Sequence, residues 1–101
     1  MSDQAIRFLE GLLARAGQAH HTYEQDELNG EYDQEWPRWY AAFLIEEDIS
    51  ALIQPPPPLG ELAEALQRIT EAHKELNEKV DWSAFAAEKL AEQYQIGRAH
   101  V

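Results

Sequence analysis

The sequence predicts an all-α protein: four helices forming two pseudo-repeated helical hairpins packed as a small bundle. Three observations predict it. Apolar residues recur at helical spacing over two long segments. Sustained period-two alternation is absent and β-branched residues are scarce, so no strand is expected. The first half of the chain also recurs in the second. Shifted by 53 residues, Leu9, Leu13, Arg15, Ala19 and His20 fall on Leu62, Leu66, Arg68, Ala72 and His73. A second block matches at an offset of 46, placing Glu35-Trp36 on Asp81-Trp82, Trp39 on Phe85, Ala41 on Ala87, Leu44 on Leu90 and Glu46 on Glu92. The offsets differ by seven, so the first copy carries a connection longer by that many residues. On this reading residues 1–101 form a single domain, with halves 1–54 and 59–96 joined by a proline spacer at 55–58.

The first helix is expected over about 3–24. Ile6, Leu9, Leu13, Ala16, His20 and Tyr23 alternate spacings of three and four, a seam along one face. Phe8 and Leu12 widen it, Ser2 suits the N-cap, and Asp3 suits the first turn. The second helix begins at Trp36, because Pro37 is tolerated only in a first turn, where its missing N–H costs nothing. Trp36, Trp39, Tyr40, Phe43 and Leu44 share a face, and the helix either continues to Ile53 or breaks near Asp48-Ile49-Ser50. Pro55 to Pro58 then impose an extended polyproline spacer. The third helix, over about 59–79, carries a seam of Leu59, Leu62, Leu66, Ile69, His73, Leu76 and Val80. The fourth, over about 82–95, follows Asp81 as N-cap, has Ser83 where the first copy has proline, and gathers Trp82, Phe85, Ala86 and Leu90 on one face; Gly97 suits its end. Neither hairpin can cover its own apolar face, so the two are expected to pack about a pseudo-twofold axis. The ten aromatic residues are expected to supply much of the core.

Composition limits the function classes. The net charge is −11, with −8 in residues 1–54 and −3 in residues 55–101. Such a surface repels a phosphate backbone and an anionic bilayer, so neither nucleic acid nor membrane is an expected partner. No apolar run approaches the roughly 20 residues that span a bilayer. The chain begins Met-Ser-Asp-Gln-Ala without the basic start and apolar stretch of a signal peptide, and a cytoplasmic protein is expected. The absence of cysteine removes disulfides, thiolate metal sites and a cysteine nucleophile.

The candidate ligand-binding residues are His20, Tyr23, Glu24, Trp36, Trp39, Tyr40 and His73. His20 and His73 occupy matching seam positions, where two imidazoles could converge on a ligand. The preferred reading is structural: each is buried and bonded within its own half. Glu24 shares a face with His20, but its counterpart is Asn77, a poor ligand, and the Glu-x-x-His order of di-iron bundles is missing. No metal and no cofactor is expected. The block Trp36-Pro37-Arg38-Trp39-Tyr40 reads either as a recognition surface or, by its spacing, as core, with core preferred; Arg38 is placed for an ion pair or a cation–π contact. Residues 24–35 hold six acids around Asn29-Gly30. A calcium loop with Gly30 sixth would need carboxylates at Gln25 and Trp36, so a solvated acidic loop is expected there. Pro55–Pro58 formally contains a Pro-x-x-Pro ligand but sits where a stiff connector is needed.

The string Ala19-His20-His21-Thr22-Tyr23-Glu24, followed by Asp33-Gln34-Glu35-Trp36-Pro37-Arg38-Trp39-Tyr40-Ala41-Ala42-Phe43-Leu44, resembles small uncharacterised bacterial helical proteins and helical appendages of other bacterial proteins. Their pattern is Ala-His-x-x-Tyr-Glu … Asp-x-x-Trp-Pro-x-Trp-Tyr-Ala-x-x-Leu. The second copy departs from it at Leu76, Ser83, Phe85 and Ala86. The resemblance implies no activity. The leading expectation is a non-enzymatic helical interaction or accessory protein that binds a protein partner or itself as a homodimer. The alternative is a small-molecule or metal-binding protein, possible enzymes included, using His20 and His73. An acidic inhibitor of a basic protein is a second alternative, resting on charge alone.

Overall fold

The structure is a computed structural model that describes residues 2–47, 49, 52–53, 56–76 and 79–94, apart from the side chains of residues 2 and 3. The expectations for Ser2 and Asp3 as capping side chains, for Asp48, Ser50, Pro55, Asn77 and Gly97, and for the end of the fourth helix at 95 lie outside the described residues. Four helices are present: α1 (Ser2–Glu27), α2 (Trp36–Glu46), α3 (Leu59–Leu76) and α4 (Trp82–Tyr94), and no strand occurs among the described residues. Each helix packs on two others. α1 lies against α2 and α4, and α3 lies against α2 and α4. α1 and α3 therefore occupy one diagonal of the bundle, α2 and α4 the other. A twofold axis that exchanges the hairpins preserves this arrangement. No described helix is long and apolar enough to cross a membrane.

The core follows the seams. Leu9, Leu12 and Leu13 of α1 meet Leu62, Ala65, Leu66 and Ile69 of α3 through Ala41 and Leu44 of α2 and Ala86, Ala87 and Leu90 of α4, all buried in one cluster. The matched positions 9/62, 13/66, 41/87 and 44/90 are fully buried in both copies. Truncating one of these leucines removes apolar contact and leaves a cavity, a cost of about 2–5 kcal/mol.

Three expectations need correction, and one alternative is decided. The aromatics do not form the interior: Trp36, Tyr40, Trp82, Phe85 and Tyr94 are half-buried and pack against an aliphatic core, while Phe8 and Tyr32 are exposed. Leucine and alanine already fill the space between helices that approach closely, so the rings are pushed to its margin. Next, of the two ends considered for α2 the earlier one holds: the helix stops at Glu46 and does not reach Ile53. Extending its Ala41–Leu44 stripe by one more turn would carry position 48, an aspartate, onto the buried face. The chain instead makes a tight turn in which Ile53 N–H bonds the Ile49 carbonyl, and Ile49 and Ile53 both enter the core. The α3 seam also ends early. Leu76 is 75% exposed and Val80 is exposed as well; Tyr23, the counterpart of Leu76, packs on Trp39, whereas the matching ring of the second half, Phe85, packs on His73. Finally, α1 runs on to Glu27 and is closed by Asn29 (φ 55°) and Gly30 (φ 82°), whose N–H bonds the Glu24 carbonyl. Part of the acidic stretch is therefore helix, not loop.

Two of the predicted helix starts are present. Pro37 sits in the first turn of α2. The Asp81 carboxylate accepts the Ala84 N–H at the start of α4. At the far end of α4 the Tyr94 hydroxyl donates to Glu61 of α3 at 2.7 Å. Burial, the hydrogen bond to Glu61 and the Glu61 charge, in that order, push the phenol up to about 12, against a smaller opposing effect of Arg68. Because the folded phenol holds its proton longer than the unfolded one, this contact stabilises fully below pH 10.0 and its contribution is lost as pH rises through about 12. Urea-unfolding free energies of wild type and Tyr94→Phe should therefore converge, and then cross or meet, within that window. A gap that stays constant with pH would show that the contact does not carry this linkage.

Candidate functional site

Among the described residues, two polar side chains are buried: His20, at 7% exposure, and Asp33, at 9%. They are bonded to each other: His20 Nε2 lies 2.9 Å from Asp33 Oδ2. A carboxylate only accepts, which places the hydrogen on Nε2. Asp33 does more than hold the imidazole. Its Oδ1 accepts the Glu35 N–H at 2.9 Å, an Asx turn that leads into α2, and its carbonyl accepts the Trp36 N–H at 3.2 Å. Its own N–H donates to Glu24 Oε2 at 3.1 Å. Glu24, one turn along α1 from His20, thereby also faces His20 Nδ1 at 3.9 Å. The connection between α1 and α2 is thus folded back on α1 and tied at two points four residues apart.

This tie sets the position of the aromatic block. The His20 ring meets Trp39 edge-on at 4.9 Å and Tyr40 at 5.2 Å, and Tyr23 stacks beside it at 6.0 Å. Tyr23 also packs on Trp39. Tyr40 reaches between the hairpins with its hydroxyl against Gly17, where an added Cβ would lie 3.4 Å from the oxygen. Burial first, and the Glu24 charge second, raise the Tyr40 phenol above its ordinary value, so it stays protonated in neutral solution. Trp36 stands edge-to-face with Tyr40 and with Trp82 of the other hairpin. Trp82 is anchored by its indole N–H, which donates to Thr70 Oγ1 at 2.9 Å, while the Thr70 hydroxyl donates to the Leu66 carbonyl.

These residues enclose an open cleft of about 330 Å³ lined by His20, Glu24, Tyr32, Trp36, Tyr40, Thr70 and Trp82. All four helices contribute to it. Of the seven candidates from sequence, His20, Tyr23, Glu24, Trp36, Trp39 and Tyr40 form one cluster. His73 does not join it. Its ring bonds the Val80 carbonyl and packs on Phe85, within its own hairpin. Each histidine therefore rests on the matching aromatic, Trp39 or Phe85, and bonds the connection that follows its own helix. The two imidazoles share no partner among the described residues. No group of three or more His, Asp or Glu placed to hold a metal occurs among the described residues. Arg38 is exposed and forms neither the ion pair nor the cation–π contact expected of it among the described residues; the cation–π contact present there is Lys89 over Phe85 at 5.5 Å. The sequence reading missed Asp33, Thr70 and Trp82 as parts of the site. Asp33 was treated as part of a solvated loop. The signal that could have found it was the longer first connection, which needs an anchor to fold back.

His20→Ala should cost about 1–3 kcal/mol, because it strands the buried Asp33 carboxylate. His73→Ala, at a half-buried site, should cost less, and the two should add, since they share no partner. His20→Ala and Asp33→Ala should not add, since either removes the same bond. Urea midpoints of the three single and two double variants check this. Equal costs for the two histidines, or additivity of His20 with Asp33, would contradict the geometry.

No protein-family model matches this chain, and no curated protein or solved structure matches it significantly. The resemblance carried by residues 19–44 brings no family with it.

Proposed function

We propose that this protein is a small non-enzymatic binding protein that holds a ligand in the cleft between its hairpins. The observation that carries this reading is the division of labour in the cleft. Its polar atoms are largely committed to one another: His20 to Asp33, Asp33 to α2, Thr70 to Trp82. What faces the opening is chiefly aromatic surface braced from behind. Half-buried rings around a cavity of this size suit retention of a small molecule, and pre-set side chains lower the entropy cost of binding. The same bonds leave Nδ1 as the His20 nitrogen without a hydrogen bond among the described residues, and that atom faces the Glu24 carboxylate at 3.9 Å. The bonds count against a metal bound jointly by His20 and His73, which lie in separate environments. The reading keeps the cytoplasmic location and treats residues 1–54 and 59–96 as duplicated halves of one domain, supported by the matched burial of 9/62, 13/66, 41/87 and 44/90. Melting-temperature shifts across a library of small organic compounds test it. A cleft ligand should stabilise the wild type by about 2.7 kcal/mol at roughly a hundredfold excess over its Kd. It should stabilise Trp36→Leu far less. Ligands that raise both equally, or no stabilising compound at all, would remove the cleft from the account.

A second reading, self-association, is favoured by the exposed end of the second hairpin. Leu76 and Val80 present apolar surface there. Sedimentation velocity should show a dimer at high concentration that Leu76→Lys abolishes. A monomeric boundary at every concentration removes this reading.

A further inference from the structure

We infer that the cleft receives the quaternary ammonium group of a small organic cation. This inference rests on the binding reading above and gives that site a ligand class. It begins with three rings. Trp36 and Tyr40 lie 5.3 Å apart at 83°, Tyr40 and Trp82 5.5 Å apart at 84°, and Trp36 and Trp82 6.3 Å apart at 81°. Three mutually near-perpendicular planes make the corner of a box. All three line the cleft and none is fully buried. Aromatic faces carry negative electrostatic potential and attract a cation at about 6 Å or less from the ring centre, tryptophan most strongly.

The charges and hydrogen-bonding groups around the corner select the same class. Glu24 is the carboxylate in the lining, and neither lysine nor arginine is among the lining residues. One Glu24 oxygen accepts the Asp33 N–H, which fixes the group in place. Its negative charge reaches Tyr40, whose phenol it helps to raise after burial. An anion would find no lysine or arginine there, and His20 Nε2 and the Trp82 N–H are already bonded, to Asp33 and Thr70. A primary ammonium wants three acceptors, and the Thr70 oxygen already receives the indole. An alkylated ammonium has no N–H to satisfy, and asks only for π faces and a diffuse negative field. A net charge of −11 adds long-range attraction for cations. The source we favour is a free small molecule, because the cleft is a local cavity of about 330 Å³ and not an extended groove for a chain.

The test titrates the full-length protein with choline and with tetramethylammonium, following tryptophan fluorescence and heat. The control ligand is the neutral isostere of choline, with a tert-butyl group in place of trimethylammonium. Both cations should bind, and the isostere should bind roughly tenfold more weakly. Glu24→Gln, which keeps an acceptor for Asp33, should weaken choline several-fold and leave the isostere unchanged. Trp82→Phe should weaken the cation while circular dichroism stays native. An isostere that binds as tightly as choline overturns the cation inference yet leaves a binding cleft. Silence from cations and isostere alike overturns the inference, and the broader library then decides whether the cleft binds anything. A trimethyl-lysine peptide that binds tenfold or more tightly than choline overturns the free small-molecule source and assigns the site to a partner's side chain.

Discussion

The bond between His20 and Asp33 is the constraint on which the rest of the site depends. A buried carboxylate is expensive to desolvate unless its oxygens are met by donors. Here one oxygen takes the imidazole N–H and the other the backbone N–H of Glu35. A single side chain thereby joins the middle of α1 to the first turn of α2. The direction in which α2 leaves that turn then determines where Trp36, Trp39 and Tyr40 stand. Glu35, the residue before α2, makes no side-chain capping bond of its own. The start of the helix is held from two residues upstream, by a group whose position α1 dictates.

The matched halves differ where this device is absent. In the second copy His73 bonds a backbone carbonyl, which holds the connection but leaves no carboxylate in the interior. Neighbouring positions trade volume in a compensating way. Gly17 lies beside the large Tyr40, whereas its counterpart Thr70 belongs to the half in which Ala86 stands in place of that tyrosine. Thr70 gains a hydroxyl that binds the Trp82 indole; Gly17 offers Trp36 nothing equivalent. The aromatic cleft is therefore built from unlike contributions of the two hairpins. Trp36 and Trp82, matching residues, meet across the diagonal, as residues near such an axis must.

Much of the fold was legible, because the seams of α1 and α3 obey one period over many turns, and Leu9, Leu13, Leu62 and Leu66 on them are all fully buried. The start of α2 was legible because proline permits few places. Its end was not. Periodicity favoured continuation, and the penalty of turning Asp48 inward competes with helix propensity in a way that only the packed core decides. Leu76 shows the same limit: its spacing is that of a core residue, yet it lies 75% exposed. At the site, His20, Glu24 and the aromatic block were visible as residue types at telling positions. Their partner Asp33 lies thirteen residues from His20 in an acidic stretch that composition assigns to solvent. Periodicity is silent about a contact made by a returning loop.

The placement of the rings follows from the diagonal arrangement. α2 and α4 do not touch backbone to backbone, so something large must cross the gap between them, and Trp36, Tyr40 and Trp82 do so. A gap bridged by leucines would close into a dry core. Rings that meet edge-to-face cannot all lie flat against one another, and the faces left over border the cleft. Exposing that aromatic area forgoes roughly 25 cal/mol for each Å² not buried. The aliphatic cluster beneath has no such deficit, with its leucines fully enclosed. Stability is therefore concentrated in the aliphatic layer, and the aromatic layer beside it keeps part of its area exposed.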